Sequence, residues 1–110
     1  MLKPGQTLQG SSTRFTALVS RLDCNSGVTG QVLAPHIRLS ESAIVVTFTV
    51  APKQSGDATC PGNAQVATEA DLGEPLRGRA LKDGQCLPGG QAGGTAFCIP
   101  DATRFKPQSP

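Results

Sequence analysis

Short runs in which apolar and polar residues alternate recur along the chain, and such runs predict β-strands. The first run spans residues 14–20. In it Phe15, Ala17 and Val19 share one parity, so a strand here would turn these three side chains toward a core. No stretch has the apolar spacing of an amphipathic helix, which favours an all-β fold.

The clearest predicted strand is Ala43–Val50, with the sequence AIVVTFTV, because β-branched and aromatic residues occupy almost every position. One parity of this strand is predicted to face the core: Ile44, Val46, Phe48 and Val50. The other parity is predicted to face away from it: Val45, Thr47 and Thr49.

Weaker runs predict further short strands at Val28–Leu33, Ile37–Leu39, Gln65–Leu72 and Ala96–Ile99. A short helix is the alternative for Gln65–Leu72, although its alternating parity and the glycine that follows favour a strand. Asp83 and Gly84 form a dipeptide that is typical of a hairpin turn.

Composition sets the size of the core that these strands can form. Leu, Ile, Val and Phe number 24 of the 110 residues, which is just enough for one domain. Gly and Pro number 22, so turns are abundant. We expect a small disulfide-stapled β-sandwich (Ig-like) or a partly open barrel, with a Gly/Pro-rich C-terminal loop region. The expected boundaries are an extended lead-in over 1–12, a single β domain over 13–100 and a C-terminal tail over 101–110.

The four cysteines are Cys24, Cys60, Cys86 and Cys98. None forms the closely spaced pair that a zinc site needs, so an even count in a small chain indicates two disulfides. Cys24 and Cys60 each follow a main predicted strand, whereas Cys86 and Cys98 flank a Gly-rich segment. We therefore predict sequential pairing, Cys24 with Cys60 and Cys86 with Cys98.

Disulfides persist outside the cytosol, so we expect an exported protein. The first residues, MLKPGQ, hold no apolar stretch of the kind a signal peptide needs, and no run is long enough to span a membrane. We therefore expect an export segment upstream of the printed residues, with Met1 as a non-native start. Secretion and anchoring at the outer face of the cell membrane, as in a lipoprotein, are both open.

Four segments resemble small secreted or lipid-anchored proteins of actinobacteria. The segments are DCNSGVTGQVLAP at 23–35, SAIVVTFTVAP at 42–52, TCPGN at 59–63 and DLGEPLRGRALKDGQC at 71–86. In those proteins a Val/Thr-rich strand lies between two cysteines and precedes an E-P-L-G-x-R-x-x-x-D-G segment. Here Arg77 stands where Gly is common, and Gly78 follows one place later. The resemblance implies export and a β-rich fold, and it assigns no activity and no catalytic residue.

The E-P-L segment also has a plain structural interpretation. Pro75 forces an extended or turn conformation at Glu74, and Leu76 supplies a core contact. Arg79 is positioned to pair with Glu74 or Asp71. A binding role for Arg77 and Arg79 is the alternative.

The sequence contains no constellation of residues that predicts catalysis or a bound metal or cofactor. His36 is the single histidine, and we expect it at the surface of a strand edge. The G-x-S-x-G motif, calcium-loop spacing and phosphate-loop pattern are all absent. Trp and Tyr are also absent, which argues against sugar clefts and against stacking surfaces for single-stranded nucleic acid.

The formal net charge of +2 predicts no strong field for nucleic acid or membranes. We therefore expect a non-catalytic interaction or structural module of the cell envelope, monomeric, with an unidentified protein partner at the cell surface. The alternative is a small inhibitor of extracellular proteases. Its candidate inhibitory loops are Gly56–Asn63 around Cys60, and Gln85–Cys98.

Overall fold

The protein is almost all-β in a computed structural model that describes residues 1–53 and 58–107. The described residues form six strands: β1 (Arg14–Val19), β2 (His36–Leu39), β3 (Ala43–Thr47), β4 (Val66–Asp71), β5 (Ala80–Asp83) and β6 (Thr103–Phe105). Two single-turn 3₁₀ helices lie at Gly84–Cys86 and Ala96–Cys98. Within the described residues no helix is long and apolar enough to cross a membrane.

The strands form two sheets. β1 and β4 pair antiparallel, and the second sheet has the order β2-β3-β5-β6. β3 and β5 run parallel, because the chain leaves β3, forms β4 in the other sheet and returns to β5 in the same direction. The predicted all-β domain is confirmed. Its connectivity is not that of an immunoglobulin-like sandwich, whose sheets are antiparallel.

The inner faces of the two sheets form one core. Ile44 and Leu81 lie opposite each other on β3 and β5 and are fully buried, as is Leu76 in the loop before β5. Phe15 and Ala17 of β1 belong to the same cluster of buried residues. The parity predicted for residues 14–20 is therefore confirmed.

The main predicted strand is correct in register but too long. Ile44 and Val46 are buried as predicted, whereas β3 ends at Thr47 and Phe48 is only half-buried. Val50 pairs with Val32 in an isolated bridge. That bridge is the only strand-like pairing in Val28–Leu33, so the strand predicted there is wrong.

Residues 36–39 and 66–71 are strands, which confirms two of the weaker predictions and excludes the helical alternative for Gln65–Leu72. The hairpin predicted at Asp83 and Gly84 is wrong. The Asp83 side chain accepts a hydrogen bond from Gln85 N and caps a 3₁₀ helix instead of reversing the strand.

The C-terminal region differs most from expectation. The strand predicted at Ala96–Ile99 is a 3₁₀ helix, because the segment is folded into a tight loop closed by a disulfide. The segment expected as a tail contains β6, which pairs with β5 across a bulge. At the other end of the chain, the lead-in docks on β1, where Leu2 pairs with Ala17.

Candidate functional site

Both disulfides join the cysteines that sequential pairing predicts. Cys24 is bonded to Cys60 and Cys86 to Cys98, and no cysteine is free. No group of three His, Cys, Asp or Glu residues within 1–53 and 58–107 is placed to hold a metal ion.

A groove lies on the outer face of the four-stranded sheet, and we call it the sheet groove. It measures about 350 Å³ between the β2–β3 surface and the loop that follows β5. The sheet contributes His36, Arg38, Val45 and Thr47 to its lining. The loop contributes residues 84–85 and 87–91. His36 is exposed on β2, which is an edge strand, as the sequence predicts.

Two glycines allow the loop to approach the sheet and fold back on itself. A Cβ on Gly84 would overlap Thr47 Oγ1 and lie 3.2 Å from Val45 Cγ1. A Cβ on Gly90 would overlap the carbonyl oxygens of Gln85 and Gly84. The composition of this Gly-rich stretch predicts only a loop, whereas close packing requires these two glycines.

Gln85 anchors the loop, and no sequence signal singled it out. Its Nε2 donates to Phe48 O at 2.7 Å, and its Oε1 accepts from Gln91 N at 2.9 Å. Its backbone oxygen accepts from Ala92 N, and Ala92 is buried. One side chain therefore ties both arms of the loop to the end of β3.

Arg104 of β6 binds the C-terminal part of the same loop. Its Nη2 lies 3.3 Å from Asp83 Oδ2 and also donates to Phe97 O. Its Nη1 donates to Asp101 O at 3.0 Å. Together with the Cys86–Cys98 bond, these contacts fix the loop against β5.

A second polar cluster surrounds the Cys24–Cys60 disulfide. Arg21 is buried, and its guanidinium donates to the carbonyl oxygens of Thr29 and Ala51. Asn63 Nδ2 donates to the carbonyl oxygens of Arg21 and Asp23, at 3.0 and 2.8 Å. These groups bond to backbone that would otherwise be unsatisfied, so the cluster is structural.

Arg79 pairs with Glu74, one of the two partners predicted for it. Its Nη2 lies 2.8 Å from Glu74 Oε1, its Nε donates to Leu76 O, and the residue is buried. These contacts give Arg79 a structural role. Arg77 is exposed and has a φ of 58°, in the left-handed region that favours glycine.

The two loops considered for protease inhibition differ in what they present. Gln85–Cys98 is folded into turns, with Ala92 buried at its centre. Residues 56 and 57 of the other loop lie outside the described residues. Its described part is held by the disulfide and by Thr59 N, which donates to Ser26 Oγ at 3.2 Å.

No known protein family matches the chain, and no curated protein or solved structure matches it at a significant level.

Proposed function

We propose that the protein is an exported, non-catalytic binding module that presents the sheet groove to a protein partner at the cell surface. The observation that carries the proposal is how the groove is built. Gly84, Gln85, Arg104 and the Cys86–Cys98 bond all hold the loop that forms one wall of the groove. A preorganised concave surface loses little conformational entropy when it binds, which favours recognition.

Several observations support a non-catalytic role. His36 is exposed on β2 and takes part in none of the ion pairs of the described residues, so no carboxylate there orients it as a base. The carboxylate of Asp83, which directly precedes the loop, pairs with Arg104 and accepts a hydrogen bond from Gln85 N. The groove residues are therefore suited to contact rather than to proton transfer.

Export is supported by the two disulfides, which persist in oxidising compartments. The resemblance to small secreted or lipid-anchored actinobacterial proteins points to the same compartment. We include both secretion and anchoring at the outer face of the membrane in the proposal.

Protease inhibition is the alternative function, and the disulfide brace on Gln85–Cys98 is the feature that favours it. An inhibitory loop must offer an extended segment to a protease cleft. Here the loop turns back at Gly90, where Gly90 N donates to Leu87 O at 2.8 Å, and Ala92 is buried. The folded loop therefore supports a groove wall better than an inhibitory segment.

A photo-crosslinking amino acid placed at Pro88, in the groove wall, tests the proposal. The same substitution at Ala67, exposed on β4 of the other sheet, is the matched control. After irradiation on intact cells of the protein's source, we expect a protein adduct from position 88 and none from position 67. Equal adducts from both positions, or none from either, contradict the proposal. Stoichiometric inhibition of a panel of serine proteases by the unmodified protein would replace it with the alternative.

A further inference from the structure

Among the described residues, nothing pairs with one backbone edge of β2. It is the terminal strand of its sheet, and its inner side pairs with β3. Ser40 N donates to Ala43 O, so the antiparallel alternation turns the main-chain groups of Arg38 and His36 toward β3. The N–H and C=O groups of Ile37 and Leu39 therefore point outward, and neither N–H donates to another described loop.

The two faces of β2 have different chemistry. His36 and Arg38 lie on the face that lines the sheet groove. Ile37 packs partly against the core on the opposite face, and Leu39 is 45% exposed on that side. A strand added at this edge would therefore meet two basic side chains on one face and two apolar side chains on the other.

The charge of the groove face is not compensated locally. No carboxylate lines the groove in the described parts of the chain. Lys82 lies in the same cross-strand row as Arg38, with Val45 between them, and adds a third basic residue to this face. The groove face therefore favours a partner that carries negative charge.

We infer that the edge of β2 binds an extended acidic segment of a partner protein as an added strand. The partner segment alternates carboxylate and apolar residues, with the carboxylates over Arg38 and His36 and the apolar side chains against Ile37 and Leu39. Main-chain hydrogen bonds to Ile37 and Leu39 supply affinity, and the charge pairs supply specificity. The inference rests on the proposed function and names the chemistry of the partner.

A second copy of the same chain is a poor occupant of this edge. If two β2 strands paired antiparallel through Ile37 and Leu39, each Arg38 would lie directly opposite the other. Like charges directly opposite each other across strands are destabilising. Arg38 therefore protects the edge against self-association while it attracts an acidic strand.

The probe is the synthetic peptide acetyl-Glu-Val-Glu-Val-Glu-amide, titrated into the ¹⁵N-labelled full chain and followed by amide chemical shifts. We expect saturable shifts at residues 36–39 and 87–91. Arg38→Glu is expected to weaken binding about tenfold and to bind the matching Lys-Val peptide instead. Lys106→Glu is the control, because it makes the same charge change at an exposed site outside the groove. It should bind like the unsubstituted chain.

A peptide N-methylated at every residue tests the added strand, because it keeps the charges but has no N–H group to donate to β2. Unchanged affinity for this peptide would overturn strand addition. A sulfated disaccharide tests whether the edge binds a sugar anion instead of a peptide. If the disaccharide binds through Arg38 and the peptide does not bind, the occupant is not an acidic peptide. Failure of all these probes, together with a partner adduct at position 88, would refute the acidic strand and leave the proposed function standing.

Discussion

Gly84 lies directly against the side chain of Thr47, so that a Cβ on residue 84 would overlap Thr47 Oγ1 and stand 3.0 Å from Thr47 Cβ. The contact joins the loop after β5 to the outer face of β3 without a side chain between them. The loop can therefore lie this close to β3 only because residue 84 has no side-chain methyl group.

Gly84→Ala is expected to lower the free energy of unfolding by about 2 kcal/mol, because the added methyl must push Thr47 or the loop aside. Urea denaturation measures the change. Gly93→Ala is the control, since a Cβ at residue 93 meets no atom within 4 Å. Adding Thr47→Ala to Gly84→Ala should recover part of the loss. Equal effects of Gly84→Ala and Gly93→Ala would show that the close contact carries no energy.

Arg77→Gly is expected to raise the free energy of unfolding by about 1 kcal/mol, because Arg77 has a left-handed φ of 58° that costs an L-residue energy. Thermal and urea denaturation both measure the gain. Arg77→Ala removes the same charge but keeps the unfavourable conformation, so it should not be stabilising. If Arg77→Ala were as stabilising as Arg77→Gly, the side chain rather than the backbone would be the cause.

Val46→Ala and Val45→Ala make the same chemical change on opposite faces of β3. Val46 is 3% exposed in the core, whereas Val45 faces the groove and is half-buried. We expect Val46→Ala to lower the free energy of unfolding by about 2 kcal/mol, from lost burial and a cavity. Val45→Ala should cost less than half of that. The opposite order in chemical denaturation would mean that the register of β3 is shifted by one residue.

The two disulfides are expected to differ in what they stabilise. Replacing Cys24 and Cys60 by Ala opens a loop between distant parts of the fold. Replacing Cys86 and Cys98 opens a short loop that Gln85 and Arg104 also hold. In the loop-entropy description the longer link contributes about 4 kcal/mol and the shorter about 3 kcal/mol.

Loss of the longer link should destabilise the whole domain in chemical denaturation. Loss of the shorter link should mainly increase amide hydrogen exchange in residues 87–97. Uniformly increased exchange after loss of the shorter link would contradict this division. For the unsubstituted protein, we expect no alkylation when the chain is denatured without reduction. After reduction, the reagent should label all four cysteines.

Local sequence patterns were sufficient to predict the strands that bury one face. β1 and β4 each show a period of two, because alternate side chains of such a strand enter the core. β3 is marked instead by its run of β-branched residues. The ion pair of Arg79 with Glu74 was also accessible from the sequence, since the two residues flank a short turn. β6 shows no comparable pattern, because it has three half-buried residues and pairs across a bulge.

The groove was not predictable, because its parts are distant along the chain. Nothing local indicates that Gly84 must clear Thr47 or that Gln85 donates to Phe48 O, because these contacts exist only once β5 is placed beside β3. The same placement explains why Asp83 and Gly84 do not form a hairpin. Their chain direction is set by parallel pairing with β3 and not by the dipeptide itself.

The amino-acid sequence by itself determined the all-β class, the faces of the main strands and the separation of the cysteines into two links. Each of these follows from residue type and spacing over short distances. Tertiary structure alone decided that β3 and β5 run parallel, that residues between 84 and 91 form one wall of a groove and that β2 stands at an edge with Arg38 on its outer face. These features depend on which strands meet across the core, and strand order is set by the joint burial of residues from both sheets.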